Sequence, residues 1–98
     1  METKLNRDGS KLTVQIEGRL DTLTAPDLEK ELEPALEGVT DLVLDLEKLD
    51  YISSAGLRVL LGVAQIMEKQ GNMKVTNPSD AVMDVFSVTG FDDILTIE

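Results

Sequence analysis

The chain has 98 residues, 42% of them hydrophobic, which suits one domain with a core of its own and excludes a disordered chain. Nine basic and 19 acidic residues leave a net charge of −10, and aromatics are only 3%, so DNA, RNA and anionic lipid are poor partners. Cysteine and histidine are absent, which excludes disulfides, thiolate or imidazole metal sites, Ser-His triads and the usual general base at neutral pH.

The opening residues, Met1 to Gly9, mix charged and apolar side chains and contain no signal-peptide core. No run approaches the roughly 20 apolar residues of a membrane helix. A cytoplasmic protein that binds other proteins, uses no cofactor and touches no membrane is the expectation.

Thr3–Arg7 reads as a short edge strand, and Asp8-Gly9 as a turn pair that tolerates positive φ. Over Lys11–Glu17, Leu12, Val14 and Ile16 alternate with Thr13, Gln15 and Glu17, which predicts a strand and closes a hairpin. Thr24-Ala25-Pro26-Asp27 opens a helix: Thr24 is placed to cap it, and Pro26 suits its first turn. Leu28, Leu32, Ala35 and Leu36 form its apolar face, and Pro34 predicts a kink or an end nearby.

Leu42-Val43-Leu44 is apolar on both faces, as in an interior parallel strand. A long helix is predicted from near Ser54 to about Gln70, mostly buried, with a thin polar stripe of Arg58, Gln65 and Lys69. Gly62 on that stripe reads as a point of close helix–strand packing. Met73–Thr76 is a further strand, and Asn77-Pro78-Ser79-Asp80 caps a last helix whose Val82, Val85 and Phe86 face inward. Gly90 ends it, and Ile94–Ile97 adds a short strand or a helical turn.

This order predicts an α/β fold over residues 1–98: a single-layer, mixed, largely parallel sheet of four to five strands, with helices mainly on one face. Function in such sheets gathers at the carboxyl ends of strands. There the chain places Ser53 and Ser54 at the mouth of the long helix, where free backbone N–H groups and a positive dipole end favour a phosphate. The plain alternative is that one of these serines is only an N-cap.

Tyr51-Ile52-Ser53-Ser54-Ala55-Gly56-Leu57-Arg58-Val59-Leu60-Leu61 resembles the central motif of STAS domains, which sulfate transporters and anti-sigma factor antagonists share. Gly18-Arg19-Leu20-Asp21-Thr22-Leu23-Thr24-Ala25 resembles that family's G-x-L-D-x-x-T-A segment. Leu42–Leu46 is similar to its central strand, and Val88–Asp92 to the end of its last helix. The resemblance spans nearly the whole chain and implies an anti-sigma factor antagonist, a binding protein and not an enzyme. Its implied partners are an anti-sigma factor with serine kinase activity and a serine phosphatase.

By the same resemblance Ser54 is the phosphorylation site, with Ser53 as its rival. Many members carry Asp directly before the acceptor, where this chain has Ser53. The implied partner-binding set is Asp21, Thr22, Ser53, Ser54, Ala55, Gly56, Leu57 and Arg58. A phosphate on Ser54 would sit among Asp21, Asp45, Glu47 and Asp50. No G-x-x-x-x-G-K-[ST] phosphate loop occurs, and a small-molecule or nucleotide sensor module stays open as one alternative. A scaffold indifferent to phosphorylation is the other alternative, with Ser54 only a cap.

Overall fold

The computed structural model describes residues 1–98. The predicted hairpin forms: β1 (Glu2–Asp8) runs antiparallel to β2 (Lys11–Leu20), with Asp8 opposite Lys11 and Gly9 at φ 62° in the turn. β2 continues past the alternating segment to Leu20. Gly18 makes this continuation fit, at φ 90° beside a shift of register between Gly18 and Arg19. Then follow α1 (Ala25–Ala35), β3 (Asp41–Asp45), β4 (Leu49–Ile52), α2 (Ser54–Gln70), β5 (Asn72–Thr76), α3 (Asp80–Thr89) and a 3-10 turn at Phe91–Asp93.

The sheet has five strands, ordered β1-β2-β3-β5, with β4 paired to β2. β2 with β3, β3 with β5, and β2 with β4 are all parallel, so the sheet is largely parallel with one antiparallel pair. β4 is the element that the sequence did not announce. Leu49 and Ile52 are buried and Asp50 and Tyr51 exposed, so its four residues carry no period-two signal. It exists because β2 outruns β3: Lys11–Gln15 pair with β3, and Gly18–Leu20 pair with β4.

Register sorts the residues into two faces. Leu12, Val14 and Ile16 of β2, Leu42 and Leu44 of β3 and Val75 of β5 are buried on one face. The other carries rows such as Asn6, Thr13, Val43 and Lys74. Val43 is buried yet stands outside the cluster of 23 residues that forms the core. All three helices deliver their buried side chains to that one cluster, among them Leu28 and Leu32 of α1, Leu57, Leu60 and Met67 of α2, and Val82 and Phe86 of α3. The helices therefore cover one face, as expected. Each fully buried Leu or Phe contributes about 1.5–3 kcal/mol, which holds helices too short to persist alone.

One local expectation changes and one holds. Thr24 precedes α1 but makes no capping bond, because its hydroxyl is committed to the turn before the helix. As Pro34 predicts, the helix ends directly after it, at Ala35, and the chain continues through a turn at residues 36–38. Gln70 then holds the chain that leaves α1, its Nε2 donating to the carbonyls of Leu36 at 2.7 Å and Val39 at 2.6 Å. Of the two alternatives for Ile94–Ile97, the strand is the one met, as a single parallel bridge from Ile97 to Val75; the 3-10 turn lies earlier, at Phe91–Asp93. No helix is long and apolar enough to cross a membrane.

Candidate functional site

β4 assembles the site. Leu20 pairs with Ile52, and the Ser53 N–H donates to the Leu20 carbonyl at 2.9 Å. The residues that follow these two strands, Asp21 on one side and Ser53-Ser54 on the other, therefore leave the sheet side by side. One pair earlier, Arg19 lies opposite Tyr51 and its guanidinium stacks 4.3 Å from the ring centroid. Such an exposed stack adds about 0.5–1 kcal/mol and stiffens the end of this ribbon.

The two serines have different work. Ser53 is the N-cap of α2: its backbone is extended and its Oγ accepts the Gly56 N–H at 3.4 Å. It is half-buried. Ser54 is the first helical residue and is exposed. No acidic residue occupies the first turn of α2, so the positive end of a 17-residue helix opens beneath the Ser54 hydroxyl.

Asp21 sits in a tight turn of its own. Its Oδ1 accepts the N–H groups of Leu23 at 3.0 Å and Thr24 at 3.1 Å. The Thr24 hydroxyl accepts the Asp21 N–H at 2.9 Å, donates to the Arg19 carbonyl at 2.9 Å, and lies 3.2 Å from Oδ1. The backbone bond from Thr24 is the largest cause holding the Asp21 carboxyl below its ordinary pKa; burial opposes it, while the Leu23 N–H, the Thr24 hydroxyl and Arg19 reinforce it. Asp21 is thus a fixed negative charge beside the serines at neutral pH.

The other predicted residues divide into a surface and its support. Thr22 and Arg58 are exposed and Ala55 is half-exposed. Gly56 and Leu57 were expected on the partner surface; instead both are buried. A Cβ on Gly56 would come within 2.7 Å of Leu20 Cγ, 2.9 Å of Ile52 Cγ1 and 3.0 Å of the Leu20 carbonyl. The glycine lets the start of α2 press onto the ends of β2 and β4. Gly62 does the opposite of what was expected, since a Cβ there would meet nothing within 4 Å.

Of the four acids expected around a phosphate, Asp21 and Asp45 are each tied to the backbone of the loop that follows them. Asp45 Oδ1 accepts the Glu47 N–H at 3.1 Å and the Asn77 Nδ2–H at 3.3 Å, so it orders the loop after β3. Asp50 is exposed on β4. Of the four, Asp21 is the one that emerges in register with Ser53.

Sequence reasoning missed one feature beside Asp21. Leu23 is 85% exposed, although it stands just before Thr24, the residue at the N-cap position of α1. Its signal was negative: it falls outside the helical spacing of Leu28 and Leu32.

The family model described as Mlab, STAS domain, matches residues 3–96. An anti-sigma-B factor antagonist of Bacillus subtilis is 33% identical over 94 residues, spanning 95% of this chain and 86% of that protein. BtrV of Bordetella bronchiseptica, described as a candidate anti-sigma factor antagonist, is 36% identical over 99 residues, spanning 99% of this chain and 85% of its own. Among solved structures, the anti-sigma factor antagonist SpoIIAA in its unphosphorylated form superposes with a TM-score of 0.86 at 22% identity, covering 99% of this chain and 88% of that one. The Bacillus cell fate determinant SpoIIAA in the phosphorylated form gives 0.77 at 21% identity, covering 99% and 91%. The likeness of fold, the family match over nearly the whole length and the relatives above 30% identity agree: this chain belongs to the STAS-domain family of anti-sigma factor antagonists, which are regulatory binding proteins and not enzymes.

Proposed function

We propose that this chain is a phosphorylation-controlled switch. Unmodified, it binds an anti-sigma factor that is also a serine kinase; phosphorylated on Ser54, it lets go; a serine phosphatase restores it. It acts in the cytoplasm, where such a kinase meets ATP, with neither nucleic acid nor membrane as a partner. The partner meets Asp21, Thr22, Ser53, Ser54, Ala55 and Arg58, while Gly56 and Leu57 hold that surface in place from beneath.

One observation carries the choice of acceptor. The Ser54 hydroxyl is exposed at the first helical position, whereas Ser53 is half-buried and its oxygen caps α2. Ser53 keeps the capping function that an Asp would perform there, because either side chain accepts an N3 N–H. What it omits is the second negative charge next to the acceptor.

Release needs no refolding. A phosphate adds about −1.5 to −2 charges and bulk to a surface that must pack against a partner. Asp21 is already anionic beside it. Charges without partners at an interface cost several kcal/mol, and about 1.4 kcal/mol is tenfold in affinity.

The test compares the wild type with Ser54→Ala and Ser53→Ala after incubation with ATP and cytosolic extract of the source organism, by intact mass and fragment analysis. A single phosphate absent only from Ser54→Ala is the expected result. A phosphate that survives in Ser54→Ala assigns another acceptor. No phosphate on any form, in an extract active on a control substrate, leaves a binding domain indifferent to phosphorylation.

A further inference from the structure

Six large apolar residues are exposed, and two of them stand almost wholly in water: Leu23 at 85% and Val88 at 87%. Val88 lies in the last turn of α3. Leu23 lies within the candidate site, two residues after Asp21. It belongs to no apolar face of the fold: the buried positions of α1 are Ala25, Leu28 and Leu32.

Its backbone is held firmly for an exposed residue. The Leu23 N–H is bound to Asp21 Oδ1, Thr24 is tied to Asp21 and Arg19, and the Ala25 N–H donates to the Asp21 carbonyl at 2.8 Å. A large apolar side chain on a fixed turn loses little conformational freedom when it enters a pocket, so its burial shows in affinity. Every hydrogen bond that the Asp21 carboxylate accepts falls on Oδ1. Oδ2 has only Arg19, whose Nε is 3.8 Å away, beyond hydrogen-bond distance, and whose guanidinium is engaged with Tyr51. An apolar anchor and a carboxylate oxygen with room for a donor thus stand together on one rigid turn, on a chain of net charge −10.

We infer that Leu23 is the apolar anchor of the partner interface, and that it enters a pocket of the anti-sigma factor whose rim carries an arginine or lysine donating to Asp21 Oδ2. The inference rests on the function proposed above and adds to it the residue that sets affinity and the chemistry of the surface that receives it. Ser54 switches the interface, and Leu23 grips it.

The experiment measures the affinity of the purified anti-sigma factor kinase of the source organism for the wild type, Leu23→Ala, Leu23→Met and Val88→Ala, with thermal melting of each variant alone. Leu23→Ala is expected to weaken binding at least tenfold with an unchanged melting temperature. Leu23→Met keeps an apolar side chain of similar size and stays within about threefold. Val88→Ala, an equally exposed residue outside the site, leaves affinity unchanged. Equal affinity of Leu23→Ala and wild type overturns the anchor while leaving the switch in place. Loss of affinity in Leu23→Ala together with full binding by the Ser54-phosphorylated wild type sustains the anchor and removes the switch. A wild type that does not bind overturns both.

Discussion

Two helices of this chain start in the same way and end up serving different purposes. α2 and α3 each have a serine N-cap, Ser53 and Ser79, whose Oγ accepts the N–H of the third helical residue, Gly56 or Val82. At the first helical position α3 has Asp80, which meets the positive helix end with a carboxylate, whereas α2 has the neutral Ser54 and no acid in its first turn. At the third position α3 has Val82, fully buried in the core, whereas α2 has Gly56, wedged against Leu20 and Ile52. The α3 start is complete as it stands. The α2 start is pressed close to the sheet and holds a hydroxyl where a negative charge would be welcome to the helix. The difference teaches how a phosphate acceptor is made from an ordinary cap: keep the cap, leave the next residue neutral and exposed, and fix the backbone beneath it.

The largest effect that tests this comparison is at the third position. Gly56→Ala places a Cβ within 3.0 Å of the Leu20 carbonyl, a backbone atom that already receives the Ser53 N–H and has little freedom to move. Overpacking of this kind costs about 1–3 kcal/mol, read as a lower urea midpoint. An unchanged midpoint would show that α2 is not pressed against the sheet there. The caps come next. Ser53→Ala and Ser79→Ala each cost about 1 kcal/mol in the same denaturation experiment. Ser79→Ala is the more costly of the two, because the Ser79 hydroxyl also donates to the Leu49 carbonyl at 3.3 Å. Equal and negligible losses would remove the caps from the account.

Much of this is legible in the sequence, and what is not shares one cause. Local patterns gave the hairpin, the helix from Ser54 to Gln70, and the capping segment Asn77-Pro78-Ser79-Asp80, since each is written in neighbouring residues. β4 was hidden because Asp50 and Tyr51 are both exposed, and its reason to exist lies in β2, which outruns β3. The same distant pairing sets Asp21 beside Ser53, and the family likeness suggested that closeness where spacing could not. Gly56 read as part of the partner-binding set; the Leu20 side chain it lies against comes from another element. Leu23 carried no reading of its own within the G-x-L-D-x-x-T-A segment, and its 85% exposure shows only in the fold.

A smaller effect has opposite signs in two assays. Ser54→Asp gives α2 the carboxylate that α3 already has in Asp80, and a charge in the first turn stabilises a helix by about 0.3–1 kcal/mol. The variant is expected to melt slightly higher than wild type and yet bind the anti-sigma factor at least tenfold more weakly. Asp80→Ser is the mirror change and lowers the melting point with no effect on binding. A Ser54→Asp protein that loses both stability and binding would point to distortion of the helix start and away from a charge switch.

The smallest effect concerns Asp21 and is read against pH. Its folded-state pKa lies below the ordinary value, chiefly because the Thr24 N–H donates to the ionised carboxylate, with help from Leu23, the Thr24 hydroxyl and Arg19. A depressed pKa means that the folded chain holds the charged form better than the unfolded chain does. The stabilisation is therefore complete above the unfolded pKa of about 3.9 and is lost as pH falls through the lower folded value. Asp80, exposed at the other helix start, lacks this web of donors to its side chain. Melting curves of wild type, Asp21→Asn and Asp80→Asn from pH 6 down to about pH 2.5 separate the two sites. Asp21→Asn is expected to flatten the acid limb of the stability curve, since the amide oxygen keeps an acceptor for Leu23 and Thr24 but has no proton to take up. If Asp21→Asn and wild type lose stability in parallel below pH 4, the turn is held by its backbone alone and the fixed charge beside Ser54 contributes nothing to the fold.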